Sequence, residues 1–121
     1  PLSYFGSGTY VRDFVHVRDC TRAFIACASH EARTNGESFL IGTGHGTTIR
    51  DVLDLIASEV AEQTGICVPV IEQPVPAGLY DIEFRNSIVD STKFSIATGW
   101  SPSISIMQGI GMTVSRLRNM K

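Results

Sequence analysis

Between Thr48 and Gly65 the apolar residues Ile49, Val52, Leu53, Ile56 and Val60 recur at three- and four-residue spacing, which puts them on one stripe of an α-helix. Thr48 with Asp51 resembles a capping box at its start, and Gly65 offers the left-handed backbone that ends such a helix. A stripe of that kind must be buried against other elements. On both sides the chain reads as short apolar runs punctuated by glycine and proline, and this predicts a mixed α/β fold of short strands and about four helices.

Leu2 to Phe5, closed by Gly6-Ser7-Gly8, reads as a strand ending in a turn, and Phe14 to Val17 as a second strand. Asp19 is placed to cap a helix whose apolar face runs through Cys20, Ala23, Phe24 and Cys27 and which ends near His30. After the turn at Asn35-Gly36, the run from Ser38 to Ile41 is apolar enough for a buried strand. Val68 to Ile71 is a further strand, Pro74, Pro76 and Gly78 open a loop, and Ser87 to Val89 resumes extended structure. Asp90 precedes a short helix stopped at Gly99-Trp100. Ile106, Ile110, Val114 and Leu117 mark a final amphipathic helix, with Arg116, Arg118 and Lys121 near its negative end.

The 121 residues allow one domain. With 43% hydrophobic and 18% charged residues the chain lies in the globular range, and a net charge of -2 without a basic stripe argues against nucleic-acid binding. No apolar run approaches the length of a membrane span and no signal-peptide pattern opens the chain, so it reads as cytoplasmic. Pro1 leads directly into an apolar stretch, as an internal starting point would. Cys20, Cys27 and Cys67 show no paired spacing and read as reduced, buried residues.

Gly42-x-Gly44-x-Gly46, following an apolar run and preceding a helix, invites comparison with a dinucleotide loop, with Glu72 as the acidic partner. The third glycine comes one residue early and Thr47 stands where a small residue belongs, so the segment reads as a plain strand-to-helix turn. His16, His30 and His45 lack second ligands at helical or hairpin spacing, and no nucleophile elbow is present. Arg12 is different. Between a glycine turn and an apolar run, its guanidinium is suited either to grip phosphate oxygens or to pair with Asp13 or Asp19, and local chemistry leaves the two even.

Taken in order, Pro1-Leu2-x-x-Phe5-Gly6-x-Gly8, Arg12-Asp13-Phe14-Val15-His16-Val17-x-Asp19, Gly36-x-x-Phe39-x-Ile41-Gly42-x-Gly44, Asp90-x-Thr92-Lys93, Thr98-Gly99-Trp100-x-Pro102 and Gly109-Ile110 with Thr113 resemble the C-terminal, substrate-binding part of extended short-chain dehydrogenase/reductases. The resemblance covers nearly the whole chain, residues 1–121, and implies a C-terminal fragment from which the Rossmann core is mostly absent. Such proteins are NAD- or NADP-dependent epimerases, dehydratases and reductases of nucleotide-diphosphate sugars. Their cofactor loop and Tyr-x-x-x-Lys pair lie in the N-terminal half.

By this resemblance Arg12 binds the substrate diphosphate, and the Ser3 to Phe5 strand lines the nucleobase pocket with Phe5 beside the base. Relatives carry a second phosphate-binding arginine before a Gly-Asp pair, whereas this chain has Gly78-Leu79-Tyr80-Asp81-Ile82-Glu83-Phe84-Arg85. Arg85 is the candidate for that role, with Asp81 and Glu83 opposing an anion. The chain alone is then expected to hold no cofactor and no catalytic group. Its partners would be a nucleotide-diphosphate sugar, a missing N-terminal Rossmann part and, through apolar surface left uncovered, a second copy of itself. The alternative is a stand-alone nucleotide-sugar-binding module or complementing subunit.

Overall fold

A computed structural model describes residues 1–120; Lys121 lies outside the described residues. Strand β1 (Leu2–Phe5) pairs in parallel with β4 (Val70–Gln73), Leu2 opposite Val70 and Phe5 opposite Gln73. Strand β2 (Val11–Asp13) runs antiparallel to β3 (Gly46–Thr48), with Arg12 opposite Thr47. The helices are α1 (Val17–Ser29), α2 (Glu31–Thr34), α3 (Ile49–Thr64), α4 (Thr92–Thr98) and α5 (Ile106–Arg118). The sequence-predicted helices are α1, α3, α4 and α5; the single turn of α2 is additional.

Helix α3 follows its sequence signals closely. The Thr48 hydroxyl accepts the Asp51 N–H at 3.1 Å, and Gly65 ends the helix at φ 74°. Its stripe packs on α5 and on β1. Gly99 closes α4 at φ 72°, and Ser105 and Gln108 form a reciprocal capping box that starts α5.

The second strand is displaced from its expected place: β2 ends at Asp13, and Phe14 to His16 are not in a strand. His16 turns the chain instead, its Nδ1 accepting the Arg18 N–H at 3.2 Å, so α1 begins at Val17. Asp19 consequently is not the cap. It lies inside the first turn, fully buried, where its carboxylate accepts the N–H groups of Ser103 and Ile104 at 3.0 Å each and the Ser103 hydroxyl at 2.9 Å, and pairs with Arg22. Burial works against the charge of Asp19, but these hydrogen bonds and Arg22 outweigh it and hold its pKa below the ordinary aspartate range.

Around this anchor sits the core of Ala23, Phe94 and Trp100, with Ala26, Cys27, Phe39 and Ile41 packed on it. The Trp100 indole donates to the Asp19 carbonyl at 3.1 Å. The Ser38 to Ile41 run does not form a strand: Phe39 and Ile41 face this core, while Leu40 is 70% exposed. Phe24, expected on the buried face of α1, is 74% exposed because it lies a helical step beyond buried Ala23. All three cysteines are free, Cys20 and Cys27 half-buried and Cys67 exposed. No helix is long and apolar enough to cross a membrane among the described residues.

Candidate functional site

Strand β1 alternates as its period demands: Tyr4 points inward, leaving Ser3 and Phe5 together on the outer face, Phe5 47% exposed. The turn that follows needs its glycines. Both Gly6 and Gly8 have φ 64°; a Cβ at Gly8 would meet the Tyr4 ring at 2.7 Å, and one at Gly6 would meet the Tyr10 hydroxyl at 2.8 Å and Val75 at 3.0 Å. The turn thereby brings Tyr10 and the Val75 segment up against the end of β1.

Beyond Tyr10 comes Arg12, whose guanidinium is held by main-chain carbonyls. It forms no ion pair with Asp13 or Asp19; Asp19 pairs with Arg22. Its Nη2 donates to the carbonyl of Glu83 at 2.7 Å, and its Nη1 donates to the carbonyl of Val11 at 3.0 Å and to that of Arg85. The guanidinium therefore fastens the 3-10 turn Asp81–Phe84 and the following Arg85 onto β2. Among the described residues, Nε–H and one Nη2 hydrogen have no partner.

The same segment is held at two further points. The Phe84 ring rests on Tyr10 with centroids 4.9 Å apart, and the Val11 N–H donates to the Asn86 side-chain oxygen at 2.9 Å. Arg85 itself is exposed, and its side chain makes no hydrogen bond or ion pair among the described residues. Neither do the carboxylates of Asp81 and Glu83. Arg12 thus lies against the main chain of Arg85, and among the described residues no carboxylate is bound to either side chain. The sequence singles out both arginines but not Tyr10 and Phe84, whose pairing across 74 positions leaves no local signal.

Asp13, next to Arg12, turns the other way. Its carboxylate accepts the Thr43 N–H at 2.9 Å, the Thr43 hydroxyl at 2.5 Å, the Gly44 N–H at 2.9 Å and the Val89 N–H at 3.2 Å. Burial alone would raise its pKa; the bonds from Thr43, Val89 and Gly44 prevail and lower it. The Gly42 N–H goes to the Ser91 hydroxyl at 2.8 Å, and β3 lies between this loop and α3. In the glycine segment that suggested a dinucleotide loop, the amides needed for a pyrophosphate are occupied by a carboxylate.

The histidines are placed separately: His16 at the start of α1, His30 with Nδ1 at 2.8 Å from the Ala26 carbonyl, and His45 with Nδ1 at 2.9 Å from the Thr43 carbonyl.

Comparison with known proteins extends this picture. Residues 1–113 match the family described as GDP-mannose 4,6 dehydratase. Over 115 residues the chain is 32% identical to the UDP-glucose 4-epimerase of Mycolicibacterium smegmatis, covering 95% of this chain and 34% of that protein. The structure of UDP-glucose 4-epimerase with UDP-glucose from Thermotoga maritima matches at a TM-score of 0.74 and 32% identity, over 98% of this chain and 35% of that one. An epimerase from Methanothermobacter thermautotrophicus matches at a TM-score of 0.82 over 98% of this chain and 33% of that one; at 22% identity the likeness is one of fold. The chain spans about a third of the length of these relatives.

Proposed function

The chain belongs to the GDP-mannose 4,6 dehydratase family, within the extended short-chain dehydrogenase/reductases, and on that premise we propose that it forms the nucleotide-diphosphate-sugar-binding part of an NAD(P)-dependent epimerase or dehydratase. The observation that carries the proposal is the pairing of Arg12 and Arg85. The Arg12 guanidinium holds the main chain of Arg85, neither arginine side chain carries a carboxylate among the described residues, and a diphosphate supplies the negative charge. Ser3 and Phe5, on the outer face of the neighbouring strand, are proposed to hold the nucleobase, Phe5 by its ring.

NAD or NADP, as hydride acceptor and donor, belongs in this reading to the rest of the parent protein. The glycine segment of this chain does not fit a dinucleotide, because Asp13 holds the amides of Thr43 and Gly44. The chain's own share is binding and orientation of the substrate, and the acid-base pair is assigned to the parent's N-terminal part.

That part is also the proposed cover for the apolar surface left by α1 and the 38–41 run, where Val17, Phe24 and Leu40 are each 70% exposed or more. The same exposure favours a second reading, in which a separate polypeptide or another copy of this chain supplies the cover.

Calorimetric titration of UDP and UDP-glucose into the intact protein tests the proposal. Binding that weakens on Arg85→Ala, with the melting temperature preserved, supports it; an unchanged dissociation constant overturns the diphosphate assignment.

A further inference from the structure

The segment from Tyr80 to Arg85 owes its position to a small number of contacts, and each is made to residues Tyr10 to Arg12. Tyr80, Ile82 and the carboxylates of Asp81 and Glu83 face solvent, Tyr80 at 79% and Ile82 at 60% exposure, so little apolar burial holds the segment down. The attachments are the Phe84 ring on Tyr10, the Arg12 guanidinium on the carbonyls of Glu83 and Arg85, and the Ser87 N–H on the Val11 carbonyl at 2.9 Å. Segments attached in this way open at low free-energy cost. Tyr10 also lies against Gly6, so a continuous line of contacts runs from Phe5-Gly6 through Tyr10 and Phe84 to Arg85.

Docking sets the main chain of Arg85 on the Arg12 guanidinium, so that two cationic residues share this end of β2. Among the described residues each guanidinium keeps unpaired N–H donors in the docked position, and undocking carries the main chain of Arg85 away from Arg12. A ligand with two linked phosphates can reach both arginine side chains only in the docked state; a single phosphate has fewer oxygens to share between them. Such a ligand stabilises docking by linkage, through its preference for one state over the other.

We propose that Tyr80 to Arg85 is a strap which a nucleoside diphosphate fastens, and that Phe84, seated on Tyr10, is the positioning residue that sets Arg85 for the diphosphate. This rests on the nucleotide-sugar reading above and adds to it a conformational step and a residue that touches no ligand. The strap's amides report its state: the N–H of Glu83 donates to the Tyr80 carbonyl at 3.0 Å, that of Arg85 to the Ile82 carbonyl at 3.3 Å, and that of Ser87 to Val11.

The test is hydrogen exchange of residues 80–87 in the intact protein, with and without UDP, beside a calorimetric titration of the same samples. At a concentration about 100 times its dissociation constant, UDP is expected to slow exchange of these amides by about a hundredfold. UMP, at the same multiple of its own constant, is expected to slow it less. Phe84→Ala is expected to weaken UDP binding about tenfold and to abolish much of the protection, and Phe84→Leu to restore most of both. If UDP binds with calorimetric heat yet leaves the exchange of these amides unchanged, the strap is wrong and the binding site stands. The same follows if Phe84→Ala, folded by its melting curve, binds UDP as the unaltered protein does. Absence of any UDP binding overturns the site reading and the strap with it.

Discussion

Asp13 and Thr43 are bound twice over: one carboxylate oxygen takes the Thr43 N–H at 2.9 Å and the Thr43 hydroxyl at 2.5 Å. With Gly44 and Val89 also donating, this side chain ties β2 to the loop before β3 and to the extended stretch before α4. The residue beside the proposed phosphate ligand is thus the one that fixes the direction of the strand.

Removing that carboxylate should cost the fold more than the site. Asp13→Ala leaves the N–H groups of Thr43, Gly44 and Val89 without their acceptor, and a loss of about 3 kcal/mol or more is expected. Urea unfolding of the intact protein measures it.

Gly42 depends on the same junction. A Cβ there would lie 2.5 Å from the Val89 Cβ and 2.7 Å from Asp13 Oδ2, neither of which can move without breaking the knot. Gly42→Ala should destabilise by about 1–3 kcal/mol. Gly36→Ala is the comparison: its Cβ would meet nothing within 4 Å, and its penalty comes from φ 74° alone.

Acid should loosen both carboxylate anchors. Asp13 and Asp19 have folded pKa values below the ordinary aspartate value of about 3.9, so folding favours their charged forms. Their contribution is complete above about pH 5 and is withdrawn as pH falls through about 4 toward the lower folded values. The urea midpoint should drop between pH 6 and pH 3. Asp19→Asn should flatten that dependence, and a slope unaltered by the change would show that other groups govern it.

Arg12 should not tolerate lysine. Its planar fork reaches the carbonyls of Glu83 and Arg85 while keeping donors free, and a single ammonium cannot do both. Arg12→Lys and Arg12→Ala are each expected to weaken UDP binding roughly ten- to hundredfold, by titration.

The 121-residue chain by itself should associate. Phe24 at 74% and Leu40 at 70% exposure are large apolar side chains that another surface would cover. Light scattering over a dilution series should show dimers or larger species, and a clean monomer at every concentration would show that this surface needs no cover.

Local chemistry made much of this fold legible. Thr48 and Gly65 bracket α3, and Gly99 stops α4, because caps act within a few residues of themselves. Phe14 to Val17 misled because its apolar residues look strand-like, whereas the polar His16 among them is the one that decides, by capping α1. Asp19 offered the short oxygen of a cap, yet its partners are Ser103 and Ile104, over 80 positions away, and no local pattern reports them.

The candidate site is legible in its parts and not in their joining. Arg12 stands out by its position and by resemblance, and Arg85, Ser3 and Phe5 by resemblance alone. That Arg12 would hold the main chain of Arg85's own segment depends on two stretches 73 residues apart meeting at β2, which is a property of the folded chain. The glycine segment from Gly42 to Gly46 is the converse case: its spacing suggested close approach to a ligand, and the close approach is to Asp13 and Val89.

The most direct test is a crystal structure of the intact protein with UDP bound. The expected result places diphosphate oxygens about 3 Å from nitrogens of Arg12 and Arg85, with the base against the Phe5 ring on the outer face of β1. Well-ordered UDP whose phosphates touch neither arginine would contradict it.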